Sequence, residues 1–147
     1  FRVRQIVPIA VAHAVNTSSW VAPSGGGLAK FDGTNWIVYN TSNSGLPEND
    51  LGPLAKDGSN LWIGSGGLAK FNGTDWIVYN TSNSDLPDNS VRALAIDESN
   101  IWIGTYYGGL AKFDGTNWTV YNTTNSGLPY NEVLALAVEG SNIWIGT

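Results

Sequence analysis

Residues 26–65 read GGLAKFDGTNWIVYNTSNSGLPENDLGPLAKDGSNLWIGS, and residues 66–105 read GGLAKFNGTDWIVYNTSNSDLPDNSVRALAIDESNIWIGT. The two stretches agree at 28 of 40 positions, so each is one copy of a repeating unit. A third unit starts at Gly108 and differs mainly by two extra residues, Tyr106 and Tyr107, ahead of its GGLAKF. A fourth, divergent copy opens the chain: Ile9 to Ala12 stand where Leu134 to Ala137 stand later, and Trp20 to Pro23 where Trp144 to Thr147 do. All seven tryptophans fall in two frames, one holding Trp36, Trp76 and Trp118, the other Trp20, Trp62, Trp102 and Trp144. Spacings of 40 and 42 residues, with several short strand-like runs per period, predict a β-propeller.

Each unit carries four apolar, β-branched runs bounded by Gly, Asn, Asp, Ser or Pro, here labelled A to D. In one unit they are Val91 to Asp97, Asn100 to Gly104, Gly109 to Phe113 and Trp118 to Tyr121. The A–B link is short, and the C–D link contains Asp114-Gly115, where glycine accepts the positive φ of a hairpin turn. Four antiparallel strands per blade follow. Small residues alternate in A (Ala93 with Ala95, Ala135 with Ala137), which suits the narrow axis; the large Trp118 and Tyr121 in D suit the periphery. A blade buries both faces against its neighbours, so two tryptophans per blade are expected as core packing.

The expected fold class is all-β, a propeller arc of about three and a half four-stranded blades forming a single domain over 1–147. Blade 1 is expected at about 5–40, blade 2 at about 51–80, blade 3 at about 91–122 and a half blade at about 133–147. An arc of this kind leaves a sheet edge and an inter-blade face uncovered. Further blades of a longer chain, or other copies of the same chain, are the expected partners. The first residue is Phe1 and not Met, so the numbering is expected to begin inside a longer product or after processing. The run IVPIAVAHAV, residues 6–15, is too short to span a bilayer and aligns with run A, so it reads as a strand and not as a targeting or membrane segment.

Composition narrows the function classes. A formal charge of -5 argues against nucleic acid, which needs a basic face. With no Cys there are neither disulfides nor thiolate metal sites. His13 is the sole histidine, so no imidazole cluster is available for metal or general-base work. The acids Asp57, Asp97 and Glu139 close run A in successive units, while Asp32 and Asp114 lie in the C–D hairpin; both sets read as turn formers, because a calcium loop needs more converging oxygens. Lys30, Lys70 and Lys112 recur in run C and are expected to lay their stems on the neighbouring blade. No catalytic residue, no metal site and no cofactor is expected.

Nearly identical repeats are their own control, since positions that differ are free of the packing template. The D–A loops read GLPENDLG, DLPDNSVR and GLPYNEVL, and the only insertion, Tyr106-Tyr107, lies in a B–C loop. Both loop types emerge on one face of a four-stranded antiparallel blade. Tyr106, Tyr107 and Tyr130, with Arg92, Asn131 and Glu132, are therefore the candidate ligand-binding residues. Tyrosines give flat, rigid surface with a polar tip, suited to a glycan, a peptide or a protein. The alternative is that the inserted tyrosines only fill a wider gap between blades. Asn-x-Ser/Thr sequons occur at Asn16, Asn40, Asn72, Asn80, Asn117 and Asn122; Asn40, Asn80 and Asn122 open the same loop and are candidate glycosylation sites, though turn formation explains them without a glycan.

The runs Asn100 to Thr105, Gly109 to Gly115, Trp118 to Tyr121 and Asn125-Ser126-Gly127-Leu128-Pro129 resemble the two-component regulator propeller repeat. That resemblance implies an extracellular or periplasmic module like the sensor portions of bacterial hybrid histidine kinases or a part of other secreted or surface proteins. Its motifs are packing and turn motifs and specify fold more than ligand. The resulting expectation is a non-enzymatic binding, sensing or protein-interaction propeller. A structural surface or filament subunit associating through open blade edges, with Phe1 to Pro8 as an exchanged strand, is the alternative. A propeller lyase similar to the streptogramin lyases, which use a histidine, has least support.

Overall fold

The computed structural model of the chain describes the backbone of residues 10–13 and the whole of residues 19–147. Phe1 to Pro8 and Asn16 lie outside the described residues, as does the His13 side chain. Among the described residues there is no helix, and fourteen strands form three four-stranded sheets and one two-stranded sheet. The first sheet is β1 (Ala10–His13), β2 (Ser19–Ala22), β3 (Leu28–Phe31) and β4 (Trp36–Tyr39). The second is β5 (Leu54–Asp57), β6 (Asn60–Gly64), β7 (Leu68–Phe71) and β8 (Trp76–Tyr79). The third is β9 (Val91–Asp97), β10 (Asn100–Thr105), β11 (Leu110–Phe113) and β12 (Trp118–Tyr121), and β13 (Ala135–Glu139) pairs with β14 (Asn142–Gly146). Strands adjacent in sequence pair antiparallel throughout each sheet, which is the blade arrangement the repeat predicts.

The turns are built by short polar side chains. Asp32 Oδ1 accepts from the Thr34 N–H at 2.9 Å and the Asn35 N–H at 2.7 Å, closing the β3–β4 hairpin. Asn72 and Asp114 do the same in the next two sheets. The loop after each fourth strand is held by asparagines. Asn43 Oδ1 accepts from the Asn40 N–H and its Nδ2 donates to the Val38 carbonyl, while Asn49 Oδ1 accepts from the Thr41 N–H. The same bonds recur at Asn83 with Asn89 and at Asn125 with Asn131.

First strands of successive sheets touch one another, β1 with β5, β5 with β9 and β9 with β13, which places them innermost. Between the first two sheets lies a core of Trp20, Leu28, Leu46, Leu61, Ile63, Ala69 and Phe71. Between the second and third, the same seats are taken by Trp62, Leu68, Leu86, Ile101, Ile103, Ala111 and Phe113, with Val91. In each seam the third-strand phenylalanine enters edge-on to the preceding blade's tryptophan: Phe71 lies 6.0 Å from Trp20 and Phe113 6.1 Å from Trp62. Its other side stacks on its own fourth-strand tryptophan, Phe71 on Trp76 at 4.3 Å and Phe113 on Trp118 at 4.4 Å.

Two expectations need correction. Tryptophan burial depends on having a neighbour: Trp20 and Trp62 are buried, yet Trp36 and Trp144 are each 60% exposed. The lysines do not lie on the neighbouring blade. Lys30, Lys70 and Lys112 sit over Trp20, Trp62 and Trp102 of their own sheet, 5.3 to 5.5 Å from the ring centroids, because they are cross-strand partners of those tryptophans. A further link was not read from sequence. Trp102 Nε1 donates to Asp97 Oδ2 at 2.6 Å, and Trp144 Nε1 to Glu139 Oε2 at 2.9 Å, tying the first strand's end to the second strand.

Glycine is required where the third strand begins. At Gly109 φ is +87°, and a Cβ would lie 2.3 Å from the Tyr121 carbonyl oxygen, whereas at Gly115 φ is +97° with open space around it. Gly109→Ala is therefore expected to cost at least about 2 kcal/mol and Gly115→Ala nearer 1 kcal/mol, compared by denaturant titration. Acid stability supplies a second check. The Trp102 indole, then Asn100, hold the Asp97 carboxyl below the ordinary carboxylate range. A depressed folded-state value means the unfolded chain takes up the proton first, so this contribution is full above about pH 4 and is lost as pH falls through the folded value. The carboxylate faces solvent, which keeps the effect under about 1 kcal/mol. Asp97→Asn is expected to flatten the fall in melting temperature between about pH 5 and pH 3 relative to the unmodified chain.

Candidate functional site

The blade template breaks at the link between β10 and β11. In the second sheet the corresponding link is short: Ser65 N–H donates to the Gly67 carbonyl, and Ser65 Oγ donates to the Glu48 carbonyl at 3.2 Å. In the third sheet, Thr105 takes the place of Ser65 and is fully buried. Its N–H and Oγ1 both donate to the Gly109 carbonyl, and its own carbonyl accepts from the Val133 N–H at 2.9 Å. The two added residues are thus looped outward between fixed points. Gly108 is pressed against Pro87, where a Cβ would meet the proline Cβ at 2.7 Å, so the loop's return path is tight as well.

What holds the inserted tyrosines comes from the preceding loop. Tyr106 N–H donates to the Ser90 carbonyl at 3.0 Å, and Tyr107 N–H donates to Asp88 Oδ2 at 2.8 Å. Asp88 Oδ1 accepts from the Ser90 N–H at 3.0 Å, which fixes the carboxylate. Arg92 places its guanidinium 4.9 Å from the Tyr106 ring centroid, and Tyr107 meets Tyr106 edge-on at 4.4 Å. Tyr106 is clamped between the two. Tyr107 and Tyr130 are left 74% and 67% exposed.

Tyr106, Tyr107 and Tyr130 border one open cleft of about 400 Å³, with Thr123, Pro129, Asn131 and Glu132 completing its walls. Five of the six expected residues therefore meet in one place. Arg92 differs: it lines an adjoining cleft with Glu48, Asp50 and Ser90, and reaches the tyrosines through its contact with Tyr106. Asn131 has a structural task, accepting from the Thr123 N–H on its side chain and from the Gly109 N–H on its backbone. Asp88 and Ser90 were missed in the sequence. The one signal for them was that DLPDNSVR departs from its two sister loops.

At the remaining candidates the side-chain oxygen serves a turn. Asn40 and Asn122 Oδ1 accept from the N–H and hydroxyl of Ser42 and Thr124, and Asn80 Oδ1 accepts from the Ser82 N–H. Among the described residues no three His, Cys, Asp or Glu side chains group as a metal site would require, and no helix is long and apolar enough to cross a membrane.

Residues 85–107, the segment holding Asp88, Arg92 and both inserted tyrosines, match the family model described as two component regulator propeller. No curated protein matches the chain. Among solved structures, the extracellular domain of the putative hybrid two component system BT4673 from B. thetaiotaomicron superposes with a TM-score of 0.76 at 22% identity. The comparison covers 95% of this chain and 19% of that one, so the chain spans about a fifth of that ectodomain's length. The computationally designed Ika4 protein is similar at TM-score 0.70 and 14% identity, covering 97% of this chain and 87% of its own. An ancestral GH74 enzyme is similar at 0.68 and 15%, covering 94% and 21%. At these identities the likeness concerns the fold, which is shared by an extracellular domain of a two component system, a designed protein and an enzyme alike. The chain is an all-β propeller arc, and its residues 85–107 match the two component regulator propeller model.

Proposed function

We propose that the chain is a non-enzymatic, extracytoplasmic sensing module that binds a neutral glycan across the Tyr107–Tyr130 cleft. The observation that supports this is the pair of tyrosine rings left mostly exposed beside one cleft, where the equivalent cleft of the preceding blade has Glu48 and Gly66 in place of tyrosines. In the two complete seams, aromatic residues at template positions are used in packing between blades; these two lie at positions the template does not fix.

The chemistry suits sugars. A tyrosine face offers a flat apolar surface to the C–H face of a pyranose, and the phenol, the Glu132 carboxylate and the Thr123 hydroxyl offer polar partners at its edge. Tyr106 is held by Arg92 and Tyr107 is anchored by Asp88, so little ordering entropy is lost on binding. The reading as a non-enzyme draws on the acids: Asp32, Asp97 and Asp114 each accept bonds from turn N–H groups or an indole. The extracytoplasmic reading draws on the extracellular domain to which the fold is similar.

The test is calorimetric titration with neutral cello-, xylo- and malto-oligosaccharides. Tyr107→Ala combined with Tyr130→Ala is expected to weaken binding at least tenfold, about 1.4 kcal/mol, with the circular dichroism spectrum unchanged. Asp88→Ala is expected to give a smaller loss, since it loosens Tyr107 without removing a contact. Equal affinity of the double variant and the unmodified chain would remove this site from consideration.

A further inference from the structure

The two complete seams differ at one place on their outer rim. Residues 36–44 and 76–84 have the same sequence, WIVYNTSNS, and make the same bonds. The Ser44 and Ser84 hydroxyls donate to the Asn40 and Asn80 carbonyls at 2.7 Å, and the Asn43 and Asn83 amides donate to the Val38 and Val78 carbonyls at 2.9 Å. The next residue is Gly45 in one loop and Asp85 in the other. Gly45 lies against Trp76 of the following blade, where a Cβ would come within 2.5 Å of the Trp76 Cβ, so the template leaves room there for hydrogen alone. In the next seam the same position carries a carboxylate.

Asp85 borders an open groove of about 560 Å³ that it shares with Tyr79, Ser82, Thr116 and Trp118. Both walls belong to complete blades: Tyr79 ends β8, Thr116 lies in the β11–β12 hairpin and Trp118 begins β12. Trp118 is half-buried, stacked on Phe113 at 4.4 Å and set edge-on to Tyr79 at 5.7 Å. The Asn83 amide and Ser84 hydroxyl, which also line the groove, are already used by their own loop. Asp32, Asp88 and Asp114 accept bonds from turn N–H groups, whereas among the described residues no N–H or O–H donates to the exposed Asp85. The groove therefore offers one uncommitted carboxylate beside two aromatic rings.

We propose that this groove receives a basic side chain, lysine or arginine, presented by a partner protein. Its cation meets the Asp85 carboxylate and its alkyl stem lies along the Tyr79 and Trp118 rings. Charge and ring quadrupole both favour a cation there, and the rings take up the apolar stem. The same chemistry operates within the chain, where Lys30, Lys70 and Lys112 lie 5.3 to 5.5 Å from the ring centroids of Trp20, Trp62 and Trp102. Those lysines serve second-strand tryptophans; among the described residues no cation lies over Trp118. A divalent metal ion fits poorly, since it needs about six oxygens and the groove supplies one carboxylate with the Ser82 and Thr116 hydroxyls. The formal charge of -5 adds a general attraction for a basic partner.

The test is a magnetic-resonance titration of the isotope-labelled 147-residue chain with the peptide acetyl-Gly-Lys-Gly-Lys-Gly-amide, its arginine counterpart and a glutamine control. The Trp118 indole N–H resonance, assigned with Trp118→Phe, is expected to move with both basic peptides and to stay still with the glutamine one. Asp85→Asn, which keeps the shape and removes the charge, is expected to weaken binding at least about fivefold, and Asp85→Gly, which restores the sister residue, to do the same. Glu98→Gln makes the same charge change in an exposed A–B turn and is expected to leave the affinity within about twofold. Tyr107→Ala with Tyr130→Ala is expected to leave it unchanged, which separates this groove from the glycan cleft. No movement of Trp118 with either basic peptide, equal movement with the glutamine peptide, or unchanged affinity in Asp85→Asn would each overturn the proposal. So would a loss in Glu98→Gln as large as that in Asp85→Asn.

Discussion

Everything in this arc depends on one interaction, the insertion of a third-strand phenylalanine between its own fourth-strand tryptophan and the preceding blade's tryptophan and tyrosine. Phe71 lies 4.3 Å from Trp76, 5.1 Å from Tyr39 and 6.0 Å from Trp20; Phe113 repeats this with Trp118, Tyr79 and Trp62. Three rings from two sheets meet around one buried side chain. A lone four-stranded sheet with apolar residues on both faces has no such partner and is not expected to be stable by itself. Blade orientation follows from the same contact, since the ring can enter only when the two sheets stand at one separation and one stagger.

That dependence explains how much of the molecule was legible in the sequence. Strand limits, hairpin turns and the antiparallel order followed from Asp-Gly pairs and apolar runs, which are local signals. Burial did not follow, because it belongs to the seam and not to the strand. Trp36 and Trp76 sit in the same local sequence, yet one is mostly exposed and the other packs in a core. The lysines were misplaced for a related reason: their antiparallel register sets them opposite the tryptophans of their own sheet, a pairing that spacing alone does not display. In the candidate site, the tyrosines were visible as an insertion into an exact frame. Asp88 was not, because its partner Tyr107 is 19 residues away and meets it only when two loops converge on one face.

The insertion is compatible with the fold because of where it enters. Thr105 keeps the contacts that terminate β10, and Gly109 keeps the left-handed conformation and close approach to Tyr121 that start β11. Tyr106 and Tyr107 are added between these two anchors, outside the aromatic seam. A loop so placed varies without disturbing the core, which is the general reason recognition in rigid scaffolds resides in loops.

The distribution of polar groups leads to the same division of labour. Outside the tyrosine cleft and the Asp85 groove, carboxylates and asparagines are engaged in turns: Asp32 and Asp114 close hairpins, Asp97 holds an indole, and Asn43, Asn83 and Asn125 bind backbone at both ends of their amides. The hairpin and asparagine bonds recur at one position in each blade because each blade has the same orphan N–H groups to satisfy, whereas the indole bond does not: Trp62 Nε1 has no partner. A ligand that exploited them would meet the same surface in every blade and would not distinguish one blade from another. Discrimination therefore has to come from positions the template does not fix. Glu48, Asp88 and Tyr130 occupy one such position in successive blades, and Asp50, Ser90 and Glu132 another. Both positions border the clefts on the tyrosine face, so variation in sequence and exposure of chemistry coincide there.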